Sequence, residues 1–221
     1  MPENDIAKLI DHTILKPDAV RADIERVCSE ALRYGFTSVC VNSCWIPLVT
    51  RALAGSPVQV CSVIAFPFGA AATAAKVAES EIATAEGARE LDMVINIGAL
   101  RSGDCGWVRD DIAAVVFSAH ARGAIVKAII ESALLTDDQI VTACRLAQEA
   151  RADFVKTSTG FASGGATIAA VKSMRRTVGP EMGVKASGGI RTLEDFRNMV
   201  AAGASRIGAS SGVQIVDASR A

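Results

Sequence analysis

Val126-Lys127-Ala128, Val155-Lys156-Thr157 and Val184-Lys185-Ala186 each place a lysine in the middle of a short apolar run, and the lysines stand 29 residues apart each time. A parallel strand and its crossover helix need a stretch of about that size, so the spacing predicts three successive βα units with the lysine at an equivalent point of each strand. Working outward, further β-branched apolar runs lie at 8–13, 37–42, 58–66 and 90–96, and the lysine-bearing runs at 125–131, 153–158 and 183–188 are followed by one more at 205–210. Most are nearly continuous in hydrophobicity, as a parallel strand buried on both faces requires. Helical patterns fill intervals between them at 18–34, 73–88, 109–122, 136–150 and 192–202, with Gly35, Gly123 and Gly203 just past three of the ends. The Ala-biased stretch 66–75 reads as a loop entering a helix. Eight βα repeats predict an α/β fold, a (β/α)8 TIM barrel, as a single domain over residues 1–221, about 28 residues to a unit. An open doubly wound sheet would announce itself by a GxGxxG turn after the first strand, and none is present.

Composition narrows the partners. Lys plus Arg number 23 and Asp plus Glu 24, a net charge of −1, so no overall field attracts nucleic acid or an anionic membrane, and an anion must be held locally. No apolar run is long enough to span a bilayer, and MPENDIAKLIDHT lacks the cationic and apolar regions of a targeting segment. Cys28, Cys40, Cys44, Cys61, Cys105 and Cys144 contain no CxxC pair, which suits reduced thiols in a cytoplasmic protein. The Cys40–Cys44 spacing reads as two packed thiols near a strand end. Only His12 and His120 are available as imidazole ligands, without HxH or HExxH spacing, so neither a metal nor another cofactor is expected. Apolar helical faces on an Ala-rich barrel favour a homo-oligomer, a dimer first.

A lysine in an apolar strand is costly unless it is paired or neutral, and Asp92 in Leu91-Asp92-Met93-Val94 is a fourth misplaced charge. An unperturbed lysine titrates near 10.4 and is neutral roughly once in a few thousand at pH 7. A neighbouring ammonium together with burial lowers that value to roughly 7 to 8, the condition for an amine nucleophile that forms a Schiff base. The acid and the second lysine then shuttle the proton. Residue spacing leaves open which lysine is the nucleophile. Ser187-Gly188-Gly189-Ile190-Arg191-Thr192 and Gly208-Ala209-Ser210-Ser211-Gly212 follow the last two strands, where barrels often hold phosphate against glycine backbone and small hydroxyls.

Asp11-His12-Thr13-Ile14-Leu15-Lys16-Pro17, Val39-Cys40-Val41-Asn42, the run Glu90 to Leu100, Asp153-Phe154-Val155-Lys156-Thr157-Ser158-Thr159-Gly160-Phe161 and the run Val184 to Thr192 together resemble the 2-deoxyribose-5-phosphate aldolases from about residue 5 to residue 215. The resemblance implies a metal-independent class I aldolase that interconverts 2-deoxy-D-ribose 5-phosphate with D-glyceraldehyde 3-phosphate and acetaldehyde. It assigns Lys156 as the Schiff-base lysine, Lys185 as the lysine that perturbs it, and Asp92 as the proton donor and acceptor. Phosphate contacts fall on Gly160, Gly188, Gly189, Arg191, Gly208, Ser210 and Ser211. Lys127 is expected to pair with Asp92 or another acid, and Cys40 to lie near Lys156 as a buried thiol or a target of reactive aldehydes. This chain departs from the family where VCVNP reads Val-Cys-Val-Asn-Ser43 and where GFP reads Ala65-Phe66-Pro67, which puts a methyl group where glycine is usual. Some members carry a tyrosine-bearing tail. The one tyrosine here is Tyr34, so proton transfer is assigned to Asp92, Lys185 and water. Two other readings compete: a transaldolase-like or fructose-bisphosphate-aldolase-like barrel acting on ketose phosphates, and a catalytically silent sugar-phosphate-binding barrel.

Overall fold

A computed structural model describes residues 6–220. They form a closed barrel of eight parallel strands in sequence order: β1 Ile10–Ile14, β2 Ser38–Val41, β3 Gln59–Ile64, β4 Glu90–Val94, β5 Ile125–Ile129, β6 Phe154–Lys156, β7 Gly183–Ser187 and β8 Arg206–Ala209. Closure pairs β1 with β8, Ile10 opposite Ile207 and His12 opposite Ala209. Seven strands fall inside their predicted runs, and β1 extends one residue past its run, to Ile14. The N-terminal targeting reading rests partly on residues 1–5, which lie outside the described residues. No helix among them is long and apolar enough to cross a membrane.

The surrounding helices are α1 Arg21–Tyr34, α2 Ile46–Ala52, α3 Thr73–Ala85, α4 Ile97–Ser102, α5 Cys105–His120, α6 Asp137–Glu149, α7 Ile168–Val178, α8 Leu193–Ala201 and α9 Gly212–Ala218. Capping boxes start α6 at Thr136 and α8 at Thr192, and left-handed Gly35 ends α1. Four helices escaped the sequence reading. α2, α4 and α9 span six or seven residues, too short for the 3.6-residue pattern to repeat, and packing holds them. α7 did carry a signal, the Thr167 cap with Val171, Met174 and Val178 on one buried face. α1 begins three residues later than predicted and α5 four residues earlier.

Period-two alternation decides what each strand offers the barrel interior. On β4, Leu91 and Met93 join the main apolar core, while Glu90 and Asp92 belong to the charged centre. A second, small cluster of Leu15, Cys40, Cys61 and Val63 lies beside that centre. The register corrects one expectation. β5 and β6 pair Lys127 with Phe154 and Ile129 with Lys156, so equal sequence spacing becomes a two-residue offset, because a closed barrel must stagger its strands. Lys156 and Lys185 are direct partners, at one level of β6 and β7. Ala65, where the family favours glycine, has φ 52°, a left-handed conformation that glycine adopts without a steric penalty.

Candidate active site

Asp92 is fully enclosed, and its two oxygens are shared among three lysines from three strands. Oδ1 accepts from Lys127 Nζ at 2.7 Å, and Oδ2 accepts from both Lys156 Nζ and Lys185 Nζ at 2.7 Å. Three charged residues that sequence reasoning did not single out, Asp11, Glu90 and Arg206, complete the network. Asp11 on β1 pairs with Lys185 at 2.5 Å and with Arg206 at 2.7 Å, and Ser38 Oγ donates to it at 2.7 Å. Glu90 takes Lys127 at 2.6 Å and Arg206 at 3.0 Å. The signal for these was the one that found Asp92: a charge inside an apolar strand, and for Glu90 a position two residues from Asp92 on the same face.

Burial opposes ionisation of Asp92, but the ammoniums of Lys127, Lys156 and Lys185 outweigh it and hold the carboxyl well below its usual range. Burial likewise disfavours the charged forms of Lys127 and Lys185. For Lys127, Asp92 leads the opposing carboxylates, and for Lys185 Asp11 and Asp92 do, so both ammoniums are held above their ordinary values. For these two lysines that reverses the downward shift expected from a neighbouring ammonium, since three carboxylates face them and a like charge is only one of several neighbours.

Above the network opens a cavity of about 610 Å3 at the C-terminal ends of the strands. Lys156 reaches its wall, as do Gly160, Gly188, Gly189, Arg191, Gly208 and Ser210. Lys127 and Lys185 are fully enclosed and do not. Ser211, expected with the phosphate contacts, sits at the N-cap of α9 and is not part of that wall. The N–H groups of Arg191 and Thr192 are already bonded to Asp195 Oδ2 at 3.0 Å, which leaves Gly188, Gly189 and Ile190 as the backbone of that turn facing the cavity. Gly208 has a second use: a Cβ there would stand 3.0 Å from Lys185 Cε. Lys16, Arg26, Thr159 and Phe161 also line the cavity and were not anticipated.

The eight-stranded parallel barrel with a lysine at the floor of this cavity sets up the comparison with known proteins. Residues 6–217 match the family described as DeoC/LacD family aldolase. The chain belongs to the DeoC/LacD family of aldolases. It is 57% identical over 211 residues to deoxyribose-phosphate aldolase 1 of Bacillus licheniformis, covering 96% of this chain and 94% of that one. To the deoxyribose-phosphate aldolase of Thermococcus gammatolerans it is 56% identical over 218 residues, covering 98% and 97%. The solved structure of the tetrameric deoxyribose phosphate aldolase of Aeropyrum pernix superposes with a TM-score of 0.93 at 34% identity, covering 100% of this chain and 93% of that one.

The cysteines of this aldolase are arranged differently from the expected pair. All six are free; Cys44 is exposed, and Cys40 packs in register with Cys61 on β3. Burial keeps the Cys61 thiol well above its usual range, and its S–H donates to Asp92 Oδ1 at 3.3 Å. Cys40, Cys61 and Asp92 have ligand atoms within 4.8 Å of one another. Three ammonium groups already hold Asp92 and oppose any further cation there. His12 bonds Glu30 at 2.6 Å and His120 bonds Asp153 at 2.8 Å, both away from the network. Tyr34 donates to Asp217 on α9.

Proposed function

We propose that the chain is a class I aldolase that cleaves 2-deoxy-D-ribose 5-phosphate reversibly to D-glyceraldehyde 3-phosphate and acetaldehyde through a Schiff base on Lys156. The observation that carries the choice of nucleophile is access: of the three strand lysines, Lys156 lines the cavity and the other two are enclosed.

In this reading Lys156 Nζ attacks the C1 aldehyde of the open-chain sugar, and water leaves to give a protonated imine. Loss of the C3 hydroxyl proton breaks the C2–C3 bond. Its electron pair moves into an enamine, and D-glyceraldehyde 3-phosphate departs. The enamine takes a proton at C2, and hydrolysis frees acetaldehyde and the lysine. Asp92 is the proton acceptor and Lys185 the donor in this reading, working through the Asp92 oxygen that both Lys156 and Lys185 contact. Both lysine nitrogens lie 2.7 Å from the same Asp92 oxygen, which gives the proton a direct relay. Lys127 anchors Asp92 from the other side, and Cys40 is a buried neighbour. The phosphate rests against Gly160, Gly188, Gly189, Arg191, Gly208 and Ser210.

The same reading treats residues 1–221 as one catalytic domain acting in the cytoplasm on a small sugar phosphate, with no nucleic-acid or membrane partner, and pairing as a homodimer. Free thiols support the compartment, and exposed Phe68, Ile82 and Phe117 support self-association. Acetaldehyde with borohydride tests the chemistry: a reduced two-carbon group should appear on Lys156. Label on Lys185, or none, overturns the assignment, as would inhibition by EDTA that zinc reverses.

A further inference from the structure

Glu131 follows β5 and does not reach the cavity, yet its backbone is left-handed at φ 51° and its side chain is 2% exposed. A non-glycine residue held in that conformation at a buried position points to a side chain whose direction matters. Its Oε2 accepts two hydrogen bonds from one residue of the neighbouring loop, the Thr159 N–H at 3.1 Å and the Thr159 hydroxyl at 2.5 Å. Thr159 Oγ1 in turn accepts from the Phe161 N–H at 3.1 Å. The other oxygen, Oε1, is buried without a hydrogen-bond partner among the described residues. A buried carboxylate left half-satisfied is a costly arrangement, and what it holds in place is one side of the cavity: Thr159, Gly160 and Phe161 all line it. That segment begins three residues after Lys156 and has little regular structure of its own, since β6 ends at Lys156 and α7 begins at Ile168.

We infer that Glu131 is a positioning residue for the sugar-phosphate wall, acting through Thr159 to hold the segment Thr159 to Phe161 at the distance the phosphorylated end of the substrate requires. The inference rests on the aldolase reading above for the substrate but makes a separate claim: the clamp governs binding of the phosphorylated sugar and leaves attack by Lys156 on a two-carbon aldehyde untouched. Acetaldehyde is too small to use that wall.

The test compares Glu131→Met, which keeps the volume and removes both acceptors, with Glu131→Gln, whose amide oxygen still accepts from Thr159. For Glu131→Met the KM for 2-deoxy-D-ribose 5-phosphate is expected to rise on the order of ten- to a hundredfold. Its kcat is expected to change far less, and borohydride trapping of acetaldehyde on Lys156 to match the parent. Glu131→Gln should restore the parent KM. Thr159→Val should raise KM as well, and the double variant Glu131→Met/Thr159→Val should be no worse than Glu131→Met, because the two act in series. An unchanged KM in Glu131→Met, multiplying effects in the double variant, or failure of Glu131→Gln to restore KM overturns the inference. Should Glu131→Met fail to fold, Thr159→Val against Thr159→Ser carries the decision, with a raised KM expected only for valine. Absence of trapping in the parent protein would instead sink the aldolase reading.

Discussion

Replacing Asp92 by Asn removes one charge from the centre of the network without changing the side chain's size. In the parent, Asp92 accepts from three ammoniums at 2.7 Å and from the Cys61 thiol. Asparagine keeps one acceptor oxygen and turns a pair of N–H donors toward groups that are themselves donors. Four cations would then face two carboxylates at the largely buried floor of the cavity. Removing one partner of a buried ion pair costs about 3–5 kcal/mol. That is a large share of the roughly 5–15 kcal/mol by which domains are stable. At about 2–4 °C per kcal/mol for a chain of this size, the midpoint of thermal unfolding should fall by roughly 6–20 °C. Two features separate this account from simple damage. Adding Lys127→Met removes an ammonium along with the carboxylate, so the double variant should regain much of the loss. The deficit of the single variant should also shrink toward pH 10, where an uncompensated lysine can shed its proton. Thermal unfolding followed by circular dichroism across pH 6–10 reads both. A single variant within about 1 kcal/mol of the parent, or a double variant less stable than the single, would refute the reasoning.

Two further predictions follow from charges in and around the barrel. Lys76 on α3 and Asp111 on α5 form a fully enclosed pair at 2.6 Å, with Thr73 bonded to Asp111 and Lys76 to the Val94 carbonyl at 3.0 Å. Asp111→Ala should cost about 3–5 kcal/mol in urea unfolding while Lys76→Met/Asp111→Leu recovers most of it; equal losses would contradict this. Stability against pH should form a plateau. Asp92 and Asp11 have depressed values, so their contribution is complete above about pH 4, where unfolded carboxylates ionise, and disappears as pH falls further. Lys127 and Lys185 have raised values, so theirs is complete below about pH 10 and disappears at higher pH. A maximum confined near neutrality, with losses already at pH 5 or 9, would show that other groups dominate.

Much of the fold was legible because strand burial and helix capping are local. Apolar runs, most of them nearly continuous, marked all eight strands, and Thr136 and Thr192 marked two helix starts. Short helices were not legible, since six or seven residues held by packing carry no repeating pattern of their own. At the site, Lys127, Lys156, Lys185 and Asp92 stood out as charges in apolar strands. Asp11 and Arg206 obeyed the same rule, but nothing local ties β1 to β8. Glu131 escaped for a different reason: its importance lies in a contact with Thr159, 28 residues away in sequence.

By itself, then, the sequence determined the order of the strands, five of the helices and the central buried charges Lys127, Lys156, Lys185 and Asp92, because hydrophobic period and the cost of burying an ion depend on the residue and its near neighbours. Tertiary structure decided the rest. Closing the barrel set β1 against β8 and staggered β5 against β6, which sank Lys127, enclosed Lys185 and left Lys156 at the cavity. It also set three carboxylates opposite the lysines, and that geometry, rather than the repulsion between neighbouring ammoniums, governs the charge states of Lys127 and Lys185.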